Sequence, residues 1–165
     1  MKRKNIFILI SSLLTLAAMA SMLIVLMIVA RRDFPKNIKV REDGVTEGIF
    51  TVRDLQLSPA QSRKYEVDLV CVASGDYNIT IDYAEIFNGG MKHHVDVAGK
   101  ANGETLYKGK LSKLIDGEET VSFDGVLKEK EPLTVTFVYM MPYETGNEAQ
   151  GTSADFDVCF KIQKI

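Results

Sequence analysis

The chain has 165 residues and a formal net charge of −2, so it is long enough for one domain with a hydrophobic core. All 22 acidic residues and 17 of the 20 basic residues follow residue 30, which gives residues 31–165 a formal charge of −5. Binding to nucleic acid needs clustered lysine and arginine, which displace counterions from phosphates. The spread charges of this chain therefore exclude nucleic acid as an expected partner.

An uncharged apolar run begins after Lys2-Arg3-Lys4 and ends at Arg31-Arg32. A bilayer core of roughly 30 Å needs about 20 apolar residues in a helix, so the run predicts a transmembrane helix within residues 1–30. Ala18-Met19-Ala20 has the letters of a signal-peptidase site, but the apolar run continues past it. We expect a retained signal anchor in a single-pass cell-membrane protein, with a secreted form if the leader is cleaved.

The polar part is expected outside the cell, because a long domain after a short basic leader usually crosses the membrane largely regardless of charge. After Ile38 the apolar residues alternate with polar ones, and turn residues interrupt the pattern every eight to twelve residues, roughly the spacing of a β-sandwich. The predicted strands are residues 49–57, 65–73, 77–87, 91–98, 104–108, 120–127, 133–141 and 154–163.

Two turns predict hairpins. Asn88-Gly89-Gly90 would join strands 77–87 and 91–98, and Asn102-Gly103 would join 91–98 to 104–108. The segment Leu111–Gly117 has apolar residues at helical spacing before a glycine, which predicts one helical turn or a tight crossover.

No longer helical pattern follows residue 31, which excludes parallel α/β folds. The fold prediction is therefore all-β: an antiparallel β-sandwich of jelly-roll type over residues 45–165. A linker or possible donor strand at 31–44 connects it to the N-terminal transmembrane helix at 1–30.

The two cysteines are predicted to remain free thiols. Cys71 shares a strand face with the apolar residues Val67 and Leu69, whereas Cys159 shares one with Asp157 and Lys161. A disulfide would require these different faces to meet, although an exported protein could form one.

Candidate catalytic residues are few, so we expect no enzyme activity and no cofactor. His93 and His94 are adjacent in a predicted strand and would point to opposite faces, which disfavours a shared metal. An alternative from the enzyme class is a zinc-dependent surface peptidase, with Asp96 or Glu85 as further ligands across strands.

The polar loop after strand 133–141 is the strongest candidate for a contact site. Gly146, Asn147, Gln150 and Gly151 are predicted to form either a hydrogen-bonded structural loop or a ligand or subunit contact. A second alternative function is a surface glycan- or ligand-binding β-sandwich module, in which exposed aromatic rings would stack on the ligand. The candidate rings are Tyr77, Tyr83, Tyr107, Tyr139 and Tyr143.

Three stretches resemble the TasA/camelysin family of Gram-positive surface proteins. They are the Met-Pro strand end with its loop at residues 141–151, the terminal strand Phe156–Lys161, and the opening strand and proline turn at residues 52–62. The resemblance covers roughly residues 45–163. It implies a jelly roll that serves as a cell-surface or biofilm-matrix fibre subunit, or as an accessory to one.

The same resemblance implies that the partners are other copies or related surface proteins. Family members assemble by donating an N-terminal strand to the next subunit, and residues 34–41 occupy the position of that donor. No metalloprotease motif accompanies the family's peptidase label, so the resemblance does not imply that activity here.

Overall fold

The computed structural model describes residues 36–165, and the predicted transmembrane helix lies outside this range. Within this range, none of the helices is sufficiently long and apolar to cross a bilayer. One short helix, α1 (Leu111–Ile115), and 3-10 turns at Met91–His93 and Asn147–Ala149 accompany the strands. The strands are β1 (Lys36–Val40), β2 (Val45–Leu55), β3 (Ser62–Cys71), β4 (Gly75–Asn88), β5 (Asp96–Ala101), β6 (Glu104–Lys110), β7 (Val121–Leu127), β8 (Leu133–Met140) and β9 (Ala154–Lys164).

These strands form two sheets, one with the order β1-β3-β8-β5-β6 and one with the order β2-β9-β4-β7. The predicted all-β sandwich is confirmed. Strands β2 to β9, which span the predicted sandwich, pair antiparallel as predicted. Only β1 departs from this among the described strands: it lies in the predicted linker or donor segment 31–44 and runs parallel to β3. β1 and β3 are parallel because the chain reverses direction twice between them, before and after β2, which belongs to the other sheet.

Two predicted turns have the expected structure. Asn102 and Gly103 both have positive φ, at 47° and 86°, and they join β5 to β6 as a hairpin. The helical turn predicted within Leu111–Gly117 forms α1, and Gly117 ends the turn with φ 71°. Glycine tolerates this left-handed conformation because it has no Cβ.

The predicted strand at 91–98 and its hairpin with 77–87 are wrong. Residues 91–93 form a 3-10 turn, and β5 begins only at Asp96. β4 pairs with β7 and β9, whereas β5 pairs with β6 and β8, so Asn88-Gly89-Gly90 carries the chain between the sheets. Burial of the Met91 and Lys92 side chains outweighs the strand propensity of this segment.

Aromatic side chains fill the space between the sheets. The Tyr83 and Tyr139 hydroxyls pair at 3.2 Å in the interior, and both rings contact Phe137 and Phe156. Desolvation raises the pKa of both phenols, so they stay neutral and can share a proton in one hydrogen bond. The core therefore buries polar atoms without leaving them unsatisfied.

The cysteines lie as predicted from their strand faces. Cys71 is buried in the core and Cys159 is half-buried on the outer face of β9, and both are free thiols. Burial raises the pKa of each thiol, and the nearby Asp157 and Asp82 carboxylates raise that of Cys159 further. Little thiolate is therefore present near neutral pH.

β1 closes the sandwich along one side. Its inward residues Ile38 and Val40 are buried, and Ile38 packs directly over Gly48 of β2. A Cβ at position 48 would lie 2.6 to 2.9 Å from three side-chain carbons of Ile38. Glycine at this position therefore makes the space that the isoleucine occupies.

We expect Gly48→Ala to lower the free energy of unfolding by about 1–3 kcal/mol, because the added methyl group overpacks this contact. Amide hydrogen exchange should show the loss of protection concentrated in β1. Gly146→Ala is the matched control, since no atom lies within 4 Å of a Cβ built there. The double variant Gly48→Ala/Ile38→Ala should lose less stability than the sum of the losses in the two single variants. If its loss in free energy of unfolding equals that sum, the two residues are not coupled.

Candidate functional site

A polar groove of about 680 Å³ lies where the loop after β8 meets the turn before β5. The turn contributes His93 and His94, and the loop contributes residues from Pro142 to Glu148. Asp96 and Lys110 line it from the first residue of β5 and the last residue of β6, with their charged atoms 2.7 Å apart. The groove therefore combines imidazole, carboxylate and ammonium groups in an open, polar setting.

Lys92 holds the turn that carries the histidines. Only 8% of this residue is exposed, and its Nζ donates to carboxylate oxygens of Glu85 on β4 and of Asp116, the latter at 2.7 Å. The hydrogen bonds to Asp116 and Glu85 raise the pKa of Lys92, so it remains charged. One ammonium group thus ties β4, the 3-10 turn and the residue after α1 together.

The prediction that His93 and His94 point to opposite faces of a strand is wrong. They follow one another at the end of a 3-10 turn, in which successive side chains are about 120° apart. Both line the same groove.

No group of three histidine, cysteine, aspartate or glutamate residues close enough to hold a metal ion occurs within residues 36–165. The Asp96 carboxylate already accepts the Lys110 ammonium. The zinc peptidase stays an untested alternative without a preformed ligand set in the described part of the chain.

Three of the four predicted loop residues line two separate sites, and Asn147 lines neither of them. Gly146 lines the polar groove, whereas Gln150 and Gly151 line a separate cavity of about 380 Å³ beside the Ser58-Pro59 turn. Asn147 binds Gln150 twice: its carbonyl accepts the Gln150 amide, and its side-chain oxygen accepts the Gln150 side-chain nitrogen, each at 3.0 Å. These bonds give the loop a defined shape, while a contact role for the four residues stays a prediction.

Of the five candidate tyrosines, one is available for stacking on a ligand. Tyr77, Tyr83 and Tyr139 are in the core, and the Tyr107 hydroxyl donates to Glu119 at 2.6 Å. Tyr143 is 81% exposed and lies between groove residues Pro142 and Glu144. Alternation within a strand assigns Tyr77 and Tyr83 to one face of β4, but it cannot say which face is buried or how that face relates to Tyr139 on β8.

An apolar groove of about 400 Å³ lies on the outer face of β8, β5 and β6. Sequence reasoning missed it, because its residues are distant in the chain and only strand register brings them side by side. They are Asp96, Val97, Ala98, Lys108, Gly109, Lys110, Val138 and Met140. Asp96 and Lys110 also belong to the polar groove, so the two grooves adjoin at this ion pair.

No protein-family model and no curated protein matches the chain. Among solved structures, a beta-glucosidase from Paenibacillus barengoltzii aligns with a TM-score of 0.39 and 10% identity, over 79% of this chain and 11% of the glucosidase. The chain thus spans about a tenth of that enzyme.

Two smaller proteins align with similarly low TM-scores. The Aeromonas hydrophila periplasmic inhibitor of g-type lysozyme, PliG, has a TM-score of 0.34 and 12% identity, over 79% of this chain and 100% of the inhibitor. The C-terminal domain of the sugar-binding protein EclA has a TM-score of 0.33 and 19% identity, over 67% of this chain and 84% of that domain. All these TM-scores lie below 0.5, so none of these alignments indicates a function for this chain.

We expect Lys92→Met to lower the free energy of unfolding by about 1–2 kcal/mol at pH 7, since it removes two charged hydrogen bonds whose carboxylates are partly exposed. Folding raises the pKa of Lys92, so the charged side chain contributes its full share of the free energy of unfolding below the unfolded pKa of about 10.4. This stabilisation is lost as the pH rises through the pKa of Lys92 in the folded protein. Urea unfolding from pH 7 to 11 should show the two proteins converging.

Lys128→Met is the control for this experiment, because Lys128 and its partner Glu131 are both largely exposed. It should change the free energy of unfolding by less than about 0.5 kcal/mol. A Lys92→Met deficit in the free energy of unfolding that stays unchanged from pH 7 to pH 11 would contradict an electrostatic role.

Proposed function

We propose that this protein is a membrane-anchored extracytoplasmic protein that acts by contact with other proteins at a cell surface, as a fibre subunit of a biofilm matrix or an accessory to one. The fold we infer for it is a jelly roll. This is supported by strands β2 to β9, whose orders β2-β9-β4-β7 and β3-β8-β5-β6 are those of an eight-stranded double-sheet jelly roll.

The observation that carries this proposal is the placement of β1. It falls inside the predicted donor segment 34–41 and adds to one edge of a sheet through β3 alone. Main-chain pairing supplies affinity in strand addition, and side chains that enter pockets supply specificity. Ile38 and Val40 are the side chains that β1 inserts between the sheets.

The connection from β1 to β2 provides a hinge for exchange between copies. It comprises residues 41–44 and includes Gly44 with φ 76°, and the Arg41 amide donates to the Thr46 hydroxyl at 2.8 Å. Exchange of an identical element between protomers replaces each contact with the same contact from another copy, so its free-energy cost is low. Strand exchange by β1 would therefore link copies without a new binding surface.

We expect residues 31–165 to form concentration-dependent oligomers and residues 42–165 to stay monomeric, because the second lacks the donated strand. Size-exclusion chromatography with light scattering measures the molar mass, and hence the oligomeric state, of both proteins. A peptide of residues 34–41 should bind the truncated protein at one site, and the same peptide with Ile38→Asp and Val40→Asp should not. Equally monomeric behaviour of the two proteins would rule out strand donation.

A second candidate function is a surface module that binds a glycan at the polar groove. The observation that favours it is the exposed side chain of Tyr143, which lies in the chain between Pro142 and Glu144 of the polar groove. Aromatic rings at such positions stack on sugar faces, and the flanking polar groups fix the orientation of the ligand.

For this candidate, Tyr143→Ala should weaken glycan binding about 2- to 10-fold, as expected for the loss of one stacking contact of about 0.5–1.5 kcal/mol. A glycan array followed by titration of the best ligand measures the change. Phe87→Ala is the control, since Phe87 is also exposed but lies outside the groove. Binding that survives Tyr143→Ala unchanged would count against the groove as the glycan site.

A further inference from the structure

We propose that the apolar groove on β8, β5 and β6 is a binding site for a free fatty-acid anion. Its alkyl chain would lie along Ala98, Val138 and Met140, and its carboxylate would pair with Lys108. This inference is independent of strand exchange by β1, because the groove lies on the strands at the other end of the sheet order.

Strand register explains the depression. Ala98 on β5 stands directly between Val138 on β8 and Lys108 on β6, so a small side chain is flanked by two larger ones. Val138, Ala98 and Lys108 thus form one row of side chains across the three strands. In the next row on the same face, Asp96 stands between Met140 and Lys110. The missing side-chain volume at Ala98 leaves a space of about 400 Å³, which falls in the range of small-molecule sites.

The apolar part of this groove suits a single alkyl chain. Val138 and Ala98 are half-buried side chains that form its floor, and Met140, which is 44% exposed, continues the apolar surface along β8. The rows are two residues apart, or about 7 Å along a strand, so an extended chain can contact both. No aromatic ring lines the groove, which disfavours a sugar.

The charges place the head group at one end. The Asp96 and Lys110 charges neutralise one another at 2.7 Å, whereas Lys108 forms no ion pair with any residue of the described range 36–165. Lys100, which lies one row beyond Ala98, also forms no ion pair within that range. An anionic head therefore finds uncompensated positive charge beside Lys108.

At the opposite end the neighbouring polar groove contains Glu144 and Glu148, which would repel a carboxylate. The orientation of the chain is thus set by charge at both ends, with the head at Lys108 and the tail at Met140. A neutral or cationic head would lose the Lys108 contact and would gain no partner in its place.

Isothermal titration of residues 31–165 with dodecanoate, below its micelle concentration, tests the proposal. Pro35–Ile165 forms one compact unit with both sheets and its own core, so this fragment is expected to fold. Dodecanoate should bind saturably at one site. Dodecyl maltoside and dodecyltrimethylammonium, which have the same chain with a neutral and a cationic head, should bind at least about tenfold more weakly.

Three variants separate the contribution of the apolar groove to dodecanoate binding from that of the Lys108 charge. Ala98→Leu should reduce dodecanoate binding at least about tenfold because it fills the groove, and Lys108→Gln should reduce it to the level of dodecyl maltoside while leaving dodecyl maltoside unchanged. Lys161→Gln removes the same charge from the outer face of the other sheet and should change nothing. Lys108 is exposed, so its variant retains the fold even if Ala98→Leu does not.

The proposal is overturned by non-saturable binding, by equal affinity for the three head groups, or by full binding to folded Ala98→Leu. It is also overturned if residues 31–165 are retained by phosphatidylglycerol vesicles while monomeric dodecanoate does not bind, because the occupant would then be a bilayer surface.

Discussion

The packing of aromatic rings between two sheets is the interaction on which the rest of this structure depends. Tyr83 from one sheet and Tyr139 from the other meet through their hydroxyls, and Phe137 and Phe156 surround them. Each ring removes a large apolar area from water, and edge-on contacts between rings add to that gain. The spacing of the sheets, and hence the geometry of every surface groove, follows from how these rings fit together.

A filled interior leaves the edges, the ends and the outer faces of the sheets for function. At the edge, β1 inserts Ile38 over Gly48, a contact in which the absence of a side chain on one strand is matched by a branched side chain on another. At the ends of the strands, Lys92 fixes the turn that brings His93 and His94 into the polar groove. On the outer face, the small side chain of Ala98 opens the apolar groove.

The two grooves share the Asp96–Lys110 ion pair, which gives the surface a polar region and an apolar region side by side. The proposed strand exchange uses neither region, since β1 lies at the opposite edge of that sheet from β6. A protein that links copies through one edge can therefore keep the other end of the same sheet free for a ligand. The membrane anchor proposed for residues 1–30 would hold both at the cell surface.

Periodicity and turn residues by themselves determined the all-β class, most strand positions, the Asn102-Gly103 hairpin, the turn that forms α1 and the different faces of the two cysteines. These features are local, because a strand exposes alternate residues and glycine alone accepts positive φ at little cost. Only the tertiary structure decided that β1 runs parallel to β3, that residues 91–93 leave the strand, and that Tyr77, Tyr83 and Tyr139 are interior. Each of these depends on which strands become neighbours, and strand pairing across the sandwich joins residues too far apart in the chain for local pattern to specify.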